Sequence, residues 1–165
     1  MSLAFVLKNL DWIILKPLPA FERILSLEKT YLSQVHETKL FFNSFDHNAR
    51  RKVYSASCGD GVWELYLSRN YANLIEELHS SDIVDCSIDP SCISEISSTI
   101  NWHFQKQTVD KVLSYPDNYF DICFHHDVIE HTRRPYHFLR EHFRVLRSGG
   151  VYFYQHQICL GLVIS

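Results

Sequence analysis

The stretch KVYSASCGDGVWELYL, Lys52 to Leu67, decides how the rest of the chain is placed. Val53, Tyr54 and Ala56 favour a strand. Ser57-Cys58-Gly59-Asp60-Gly61 cannot continue it, because alternate glycines allow backbone angles that a Cβ forbids, and the chain turns. Val62, Leu65 and Tyr66 then recur at helical spacing. A strand, a glycine turn and a helix aim the helix's unpaired N–H groups over the strand end, a setting suited to a polar or anionic ligand group. The motif alone is shared by many nucleotide-binding folds.

Working outward, Ile83 to Ile88 reads as a second strand closed by Asp89, where an acid can hold the two hydroxyls of a ribose. Asn70 to Ser81, with Leu74, Ile75 and Leu78 beside Glu76 and Glu77, reads as continued or renewed helix. From Gly61 to Asp89 is 28 positions, longer than the roughly 20 of comparable folds, so Asp85 is the alternative acid. Pro90 to Ile100 reads as a helix, Asn101 to Gln105 as a third strand, and Pro116-Asp117-Asn118 as a turn. Phe120 to His125 is a fourth strand. A helix follows Arg134-Pro135 and ends at Gly149-Gly150, and Val151 to Tyr154 is a fifth strand.

This alternation predicts an α/β fold: a Rossmann-like, doubly wound, mainly parallel sheet with helices on both faces. The ligand cleft of such a sheet lies beyond the carboxyl ends of its strands, at the switch between the first and fourth. That places Ser55 to Gly61, Asp89 and His125 to His131 around one cleft. On the amino-terminal side, residues 1–50 form a helical segment, Ser2 to Ile14 and Ala20 to Phe45, broken at Lys16-Pro17-Leu18-Pro19. Residues 51–165 form the cofactor-binding unit.

Composition narrows the function. A hydrophobic fraction of 46% and a charged fraction of 21% describe an ordinary globular domain. A net charge of −3 with pI near 6.3 leaves no basic footprint for a dedicated nucleic-acid surface. Five cysteines without a CxxC pair read as reduced, core-packed thiols and a cytoplasmic address. Met1 to Leu15 is too short and too charged for a transmembrane segment and lacks a cleavage site, which leaves an amphipathic membrane-surface helix as the alternative to packing. Adjacent histidines on a strand, His125 and His126, face opposite sides, so no metal is expected there.

The segments SCGDG, SIDPS, YPDNYFDICFHHDVIEH and FLREHFRVLRSGGVYFY, in that order, resemble the class I S-adenosylmethionine-dependent methyltransferases, in the small-molecule group with an Asp-Val-x-Glu-His loop. The resemblance runs from Lys52 to Tyr154. It implies S-adenosyl-L-methionine as cofactor, bound by Ser55, Ser57, Cys58, Gly59, Asp60, Gly61, Asp89, Pro90, Asp110 and His126, with Asp110 on the adenine amine. It also implies amino-terminal helices that pack on the sheet or close as a lid, and a small-molecule or sugar-like acceptor. His131 is the candidate general base, because histidine titrates near neutral pH; the alternative is a histidine that only packs or caps the loop.

Two departures stand out. The family usually has an acid where this chain has Ser55 and a glycine where it has Ser57. Its sheet also continues with a helix and an antiparallel hairpin after the fifth strand, so the resemblance predicts a truncated sheet, incomplete at its C-terminal edge. An open edge at Val151 to Tyr154 invites a homo-oligomer or a partner chain, unless Ile158 to Ile164 folds back over it. The competing reading is a catalytically silent methyltransferase-like module that needs another chain. A nicotinamide oxidoreductase is disfavoured by Glu64, which stands where a third glycine belongs.

Overall fold

The computed structural model describes residues 19–85, 90–156 and 159–164. Helices α1 (Pro19–Thr30) and α2 (Leu32–Asn43) precede β1 (Arg51–Ala56), α3 (Val62–Tyr71), β2 (Ile75–Asp82) and α4 (Pro90–Thr99). Then come β3 (Asn101–Lys106), β4 (Phe120–His126), a 3-10 turn (Ile129–His131), α5 (Pro135–Val145), β5 (Leu146–His156) and β6 (Cys159–Ile164). The expected helix at Ser2 to Ile14 lies outside the described residues.

The strands form one sheet in the order β3-β2-β1-β4-β5-β6, with β1 to β5 parallel and β6 antiparallel to β5. The reversal between β1 and β4 creates the expected cleft at their carboxyl ends. Side chains alternate across the sheet with period two. Val53, Phe124 and Phe153 face a core closed by α1 to α4, while Tyr54, Cys123 and Tyr152 face a second core under α5. Phe42 of α2 is fully buried, edge-on to Phe124 at 6.1 Å between ring centroids, and Phe41 stacks on Phe153 at 4.3 Å.

Three expectations are corrected. The second strand is Ile75–Asp82, in the stretch read as helix, and Ile83 and Val84 are exposed loop residues. The helix after Pro135 stops at Val145, four residues before the glycine pair: Asn118 N–H donates to the Arg144 carbonyl at 3.0 Å and Tyr119 N–H to that of Val145 at 2.7 Å. Donors from the preceding turn thus take the last carbonyls of the helix, and the chain leaves extended. Finally, the outer edge of β5 is not open: β6 pairs with it from Val151↔Ile164 to His156↔Cys159. The hairpin satisfies the ladder that the resemblance left unpaired.

Two outcomes follow. Phe42→Ala removes a fully buried ring between α2 and the sheet and should cost about 3–5 kcal/mol, read as a lowered denaturant midpoint. The second concerns His142 on α5 and His125 on β4, each about 1% exposed. Burial holds His142 down to about 4, against a weaker upward pull from its bond to the Phe138 carbonyl. Burial likewise puts His125 well below its ordinary value, with His142 and His126 adding to it. A depressed histidine takes up its proton more readily in the unfolded chain, so this stability is complete above about pH 6.5 and is lost as pH falls towards 4. The slope should approach about 1.4 kcal/mol per pH unit for each histidine. Urea titrations at pH 7.5 and 5.0 measure it, and His142→Phe should flatten it.

Candidate cofactor site

The turn after β1 is built by hydrogen bonds and by left-handed backbone. Ser57, Gly59 and Gly61 have φ of 54°, 58° and 79°. A Cβ placed on Gly59 would meet nothing within 4 Å, so the turn faces open space that a side chain there would fill. Cys58 N–H donates to the Ser81 carbonyl at 3.0 Å, and Gly61 N–H to that of Cys58 at 2.9 Å. Gly59 N–H donates to Asp82 Oδ2 at 2.8 Å, and Val84 N–H donates to Asp82 Oδ1 at 3.1 Å. Asp82, 7% exposed, therefore stands at the carboxyl end of β2 and clips the glycine turn to it.

Two cavities meet over this end of the sheet. One, of about 330 Å³, is lined by the glycine turn together with Tyr31, Gln34 and Trp63. The other, of about 530 Å³, includes Asp82, Ile83, Asp110, Val128, His131 and Arg133. Ser57, His126 and Asp127 line both and form the junction. At that junction Thr38 Oγ1 lies 3.0 Å from His126 Nε2, and the His126 ring stacks on Trp63 with centroids 3.9 Å apart. Burial holds His126 down to about 3, so it is neutral near pH 7 and stacks without carrying a charge. Gln34 Nε2 donates to Asp127 Oδ2 at 2.7 Å, and Arg23 pairs with Asp60 at 2.6 Å, so both amino-terminal helices reach the site.

Of the residues singled out in the sequence, Ser55, Cys58, Gly59 and Asp60 line the smaller cavity, Asp110 and His131 the larger, and Ser57 and His126 both. Gly61 lines neither; it begins α3. Pro90 lines neither, since it opens α4 well past the end of β2. Asp89 lies outside the described residues, and Asp85 is an exposed partner of Lys106 at 2.8 Å. The acid the structure places at the end of β2 is Asp82. Its distance from Gly61 was the available signal: 21 positions, close to the roughly 20 of comparable folds. Sequence reasoning also missed Tyr31, Gln34 and Trp63, which come from the starts of two helices, α2 and α3, and share no local motif.

An open α/β sheet with a glycine turn after β1, an acid at the end of β2 and a cleft at the β1–β4 switch defines a nucleotide-type cofactor-binding domain. Residues 55–154 match the family described as a methyltransferase domain, and the chain belongs to that family, whose cofactor is S-adenosylmethionine. Phosphoethanolamine N-methyltransferase from Triticum aestivum is 25% identical over 137 residues, covering 79% of this chain and 25% of its own length. The chain thus spans about a quarter of the length of the curated relatives it matches. Among solved structures, an S-adenosylmethionine-dependent methyltransferase from Aquifex aeolicus is similar, with TM-score 0.60, 18% identity and coverage of 84% of this chain and 72% of that one. The [4+2]-cyclase SpnF has TM-score 0.55 and 22% identity, covering 65% of this chain and 39% of that one. Both likenesses speak to the fold, and the cyclase shows that the fold also serves other chemistry. No helix among the described residues is long and apolar enough to cross a membrane.

The residues present fit the cofactor: an open glycine turn, a buried acid at the end of β2 and polar groups beyond both. Asp82→Ala should weaken S-adenosylhomocysteine binding about tenfold or more, as expected when a carboxylate that accepts hydrogen bonds is lost. Isothermal titration reads the affinity, and circular dichroism checks that the variant folds.

Proposed function

We propose that the chain catalyses methyl transfer from S-adenosylmethionine to a small-molecule acceptor with a protonated nitrogen or oxygen. The observation that carries this reading is the pair of cavities joined at Ser57, His126 and Asp127, with the glycine turn on the smaller and Asp82, Asp110 and His131 on the larger. Bound S-adenosylmethionine would supply an activated methyl group on a sulfonium. Asp82 would hold the ribose, Asp110 the adenine amine, and Ser55 with the turn from Ser57 to Asp60 would cradle the methionine end. His126, kept neutral, orders the wall rather than moving protons.

His131 stands exposed at the end of the 3-10 turn, where an acceptor entering from solvent meets it. It takes the acceptor's proton as the new bond to carbon forms. Orientation supplies most of the rate, because the donor is already activated. The start of α2 closes the smaller cavity through Tyr31 and Gln34 and excludes water. The buried cysteines Cys58, Cys92 and Cys123, none of them in a disulfide, suit a reducing, cytoplasmic setting. The relative from Triticum aestivum is named for methylating a phosphorylated amine, which makes phosphoethanolamine the first acceptor to assay.

His131→Ala should lower kcat by about 10²–10⁴-fold while S-adenosylhomocysteine affinity stays within about twofold. Radiolabelled methyl transfer beside isothermal titration measures both. An unchanged kcat would remove His131 from the chemistry, and failure to bind S-adenosylhomocysteine would remove the reading itself.

A further inference from the structure

The smaller cavity carries charge of one sign only. Among the described residues no lysine or arginine lines it, His126 is neutral, and the two carboxylates are Asp60 and Asp127. Such a wall favours the cationic group of a ligand that enters. The two acids are not alike. Asp60 Oδ2 pairs with Arg23 at 2.6 Å and its Oδ1 accepts the Val62 N–H at 3.2 Å, so its charge is balanced and it is tied to the start of α3. Asp127 follows β4, and its Oδ2 accepts the amide of Gln34 at 2.7 Å. That amide is 5% exposed and belongs to a residue lining only the smaller cavity, whereas Asp127 lines both, so the bond draws the carboxylate towards the smaller one. A neutral amide orients the carboxylate without cancelling its charge. The backbone is held as well: the Asp127 φ is 49°, and its N–H donates to the Gln155 carbonyl at 2.9 Å.

We propose that the Asp127 carboxylate binds the ammonium of the methionine end of S-adenosylmethionine, and so is a cofactor-binding residue. This rests on the methyltransferase reading of the site. The glycine turn and the start of α3 offer N–H donors, which suit the carboxylate of an amino acid and leave its ammonium without an acceptor. Ser55 and Ser57 line the same cavity, but a neutral hydroxyl accepts more weakly than a carboxylate, whose bond to an ammonium is charge-assisted. The chemistry of the cofactor gives the assignment a consequence. Its sulfur lies between the amino-acid end and the ribose. With the ammonium at Asp127 and the ribose at Asp82, two carboxylates hold the cofactor on either side of the reacting sulfur, at the junction that opens on the cavity of His131. Gln34 acts through Asp127 and is a positioning residue.

The test titrates the full chain by calorimetry with S-adenosylhomocysteine and with 5′-methylthioadenosine, which keeps the nucleoside and the sulfur and lacks the amino-acid end. Asp127→Asn is the main variant, since asparagine tolerates the left-handed backbone at this position as aspartate does. It should weaken S-adenosylhomocysteine about tenfold or more and leave 5′-methylthioadenosine within about twofold. Asp82→Ala should instead weaken both ligands. Gln34→Met keeps Asp127 and removes the amide that aims it, so it should cost S-adenosylhomocysteine about threefold and again spare 5′-methylthioadenosine. Equal loss for both ligands in Asp127→Asn, no loss for either, or the selective loss appearing in Asp60→Asn in its place overturns the assignment. A wild-type chain that binds neither ligand sinks the methyltransferase reading, and the proposal with it.

Discussion

The carboxylate of Asp82 is the constraint on which the site depends. Its two oxygens accept N–H groups from the turn after β1 and from the turn after β2, and its own carbonyl accepts Gln107 N–H at 2.8 Å from the turn after β3. One residue therefore clips together the carboxyl ends of three parallel strands. A polar group this buried is stable only when its lone pairs are met, and two backbone donors meet them. The same bonds keep the glycine turn from closing over the cleft, since Gly59 is drawn towards β2 and its open face is left towards the cavity.

The amino-terminal helices are held by a second set of contacts at the same end of the sheet. Phe41 and Phe42 bury α2 against Phe153 and Phe124, and three polar bonds then fix its axis over β4 and β5: Gln34 to Asp127, Thr38 with His126, and Gln155 Nε2 to Glu37 at 2.5 Å. The apolar contacts supply the larger free energy, because each polar bond nets only about 0.5–1.5 kcal/mol against water. The polar bonds instead set register. Since Gln34, Asp127 and His126 also line the cavities, any shift of α2 along the sheet would change the shape of the site.

The strand, turn and helix at Lys52 to Leu67 were legible because glycine punctuation and periodicity agree there. β2 was not. Its sequence IEELHSSD carries Glu77 and His79 on one face, and that face meets Lys52, Tyr119 and His103 instead of a helix. A strand lined by ion pairs and rings on one side does not show the apolar run of a buried parallel strand, and Leu74, Ile75 and Leu78 then fall at helical spacing by chance. The error carried into the site, because moving the strand moved its terminal acid from Asp82 to Asp89. The end of α5 was hidden for another reason: its last carbonyls are taken by Asn118 and Tyr119, donors some 26 residues away in sequence, whereas the glycine pair offered a local stop signal that β5 absorbs.

The junction of the two cavities holds two of the three non-glycine residues with positive φ among the described residues. Ser57 and Asp127 both have positive φ, at 54° and 49°, in the loops that follow β1 and β4. Such angles cost a non-glycine residue on the order of 1–2 kcal/mol, and they persist only where the surroundings over-determine them. Here they do. Cys58 N–H is tied to Ser81 and Asp127 N–H to the Gln155 carbonyl at 2.9 Å, so each loop is fastened to the neighbouring strand immediately beside the strained residue. The resemblance places a glycine at position 57, which would adopt this angle freely but bring no side chain. A serine accepts the strain and adds a polar side chain where the two cavities join, a place it shares with Asp127, whose carboxylate accepts the Gln34 amide.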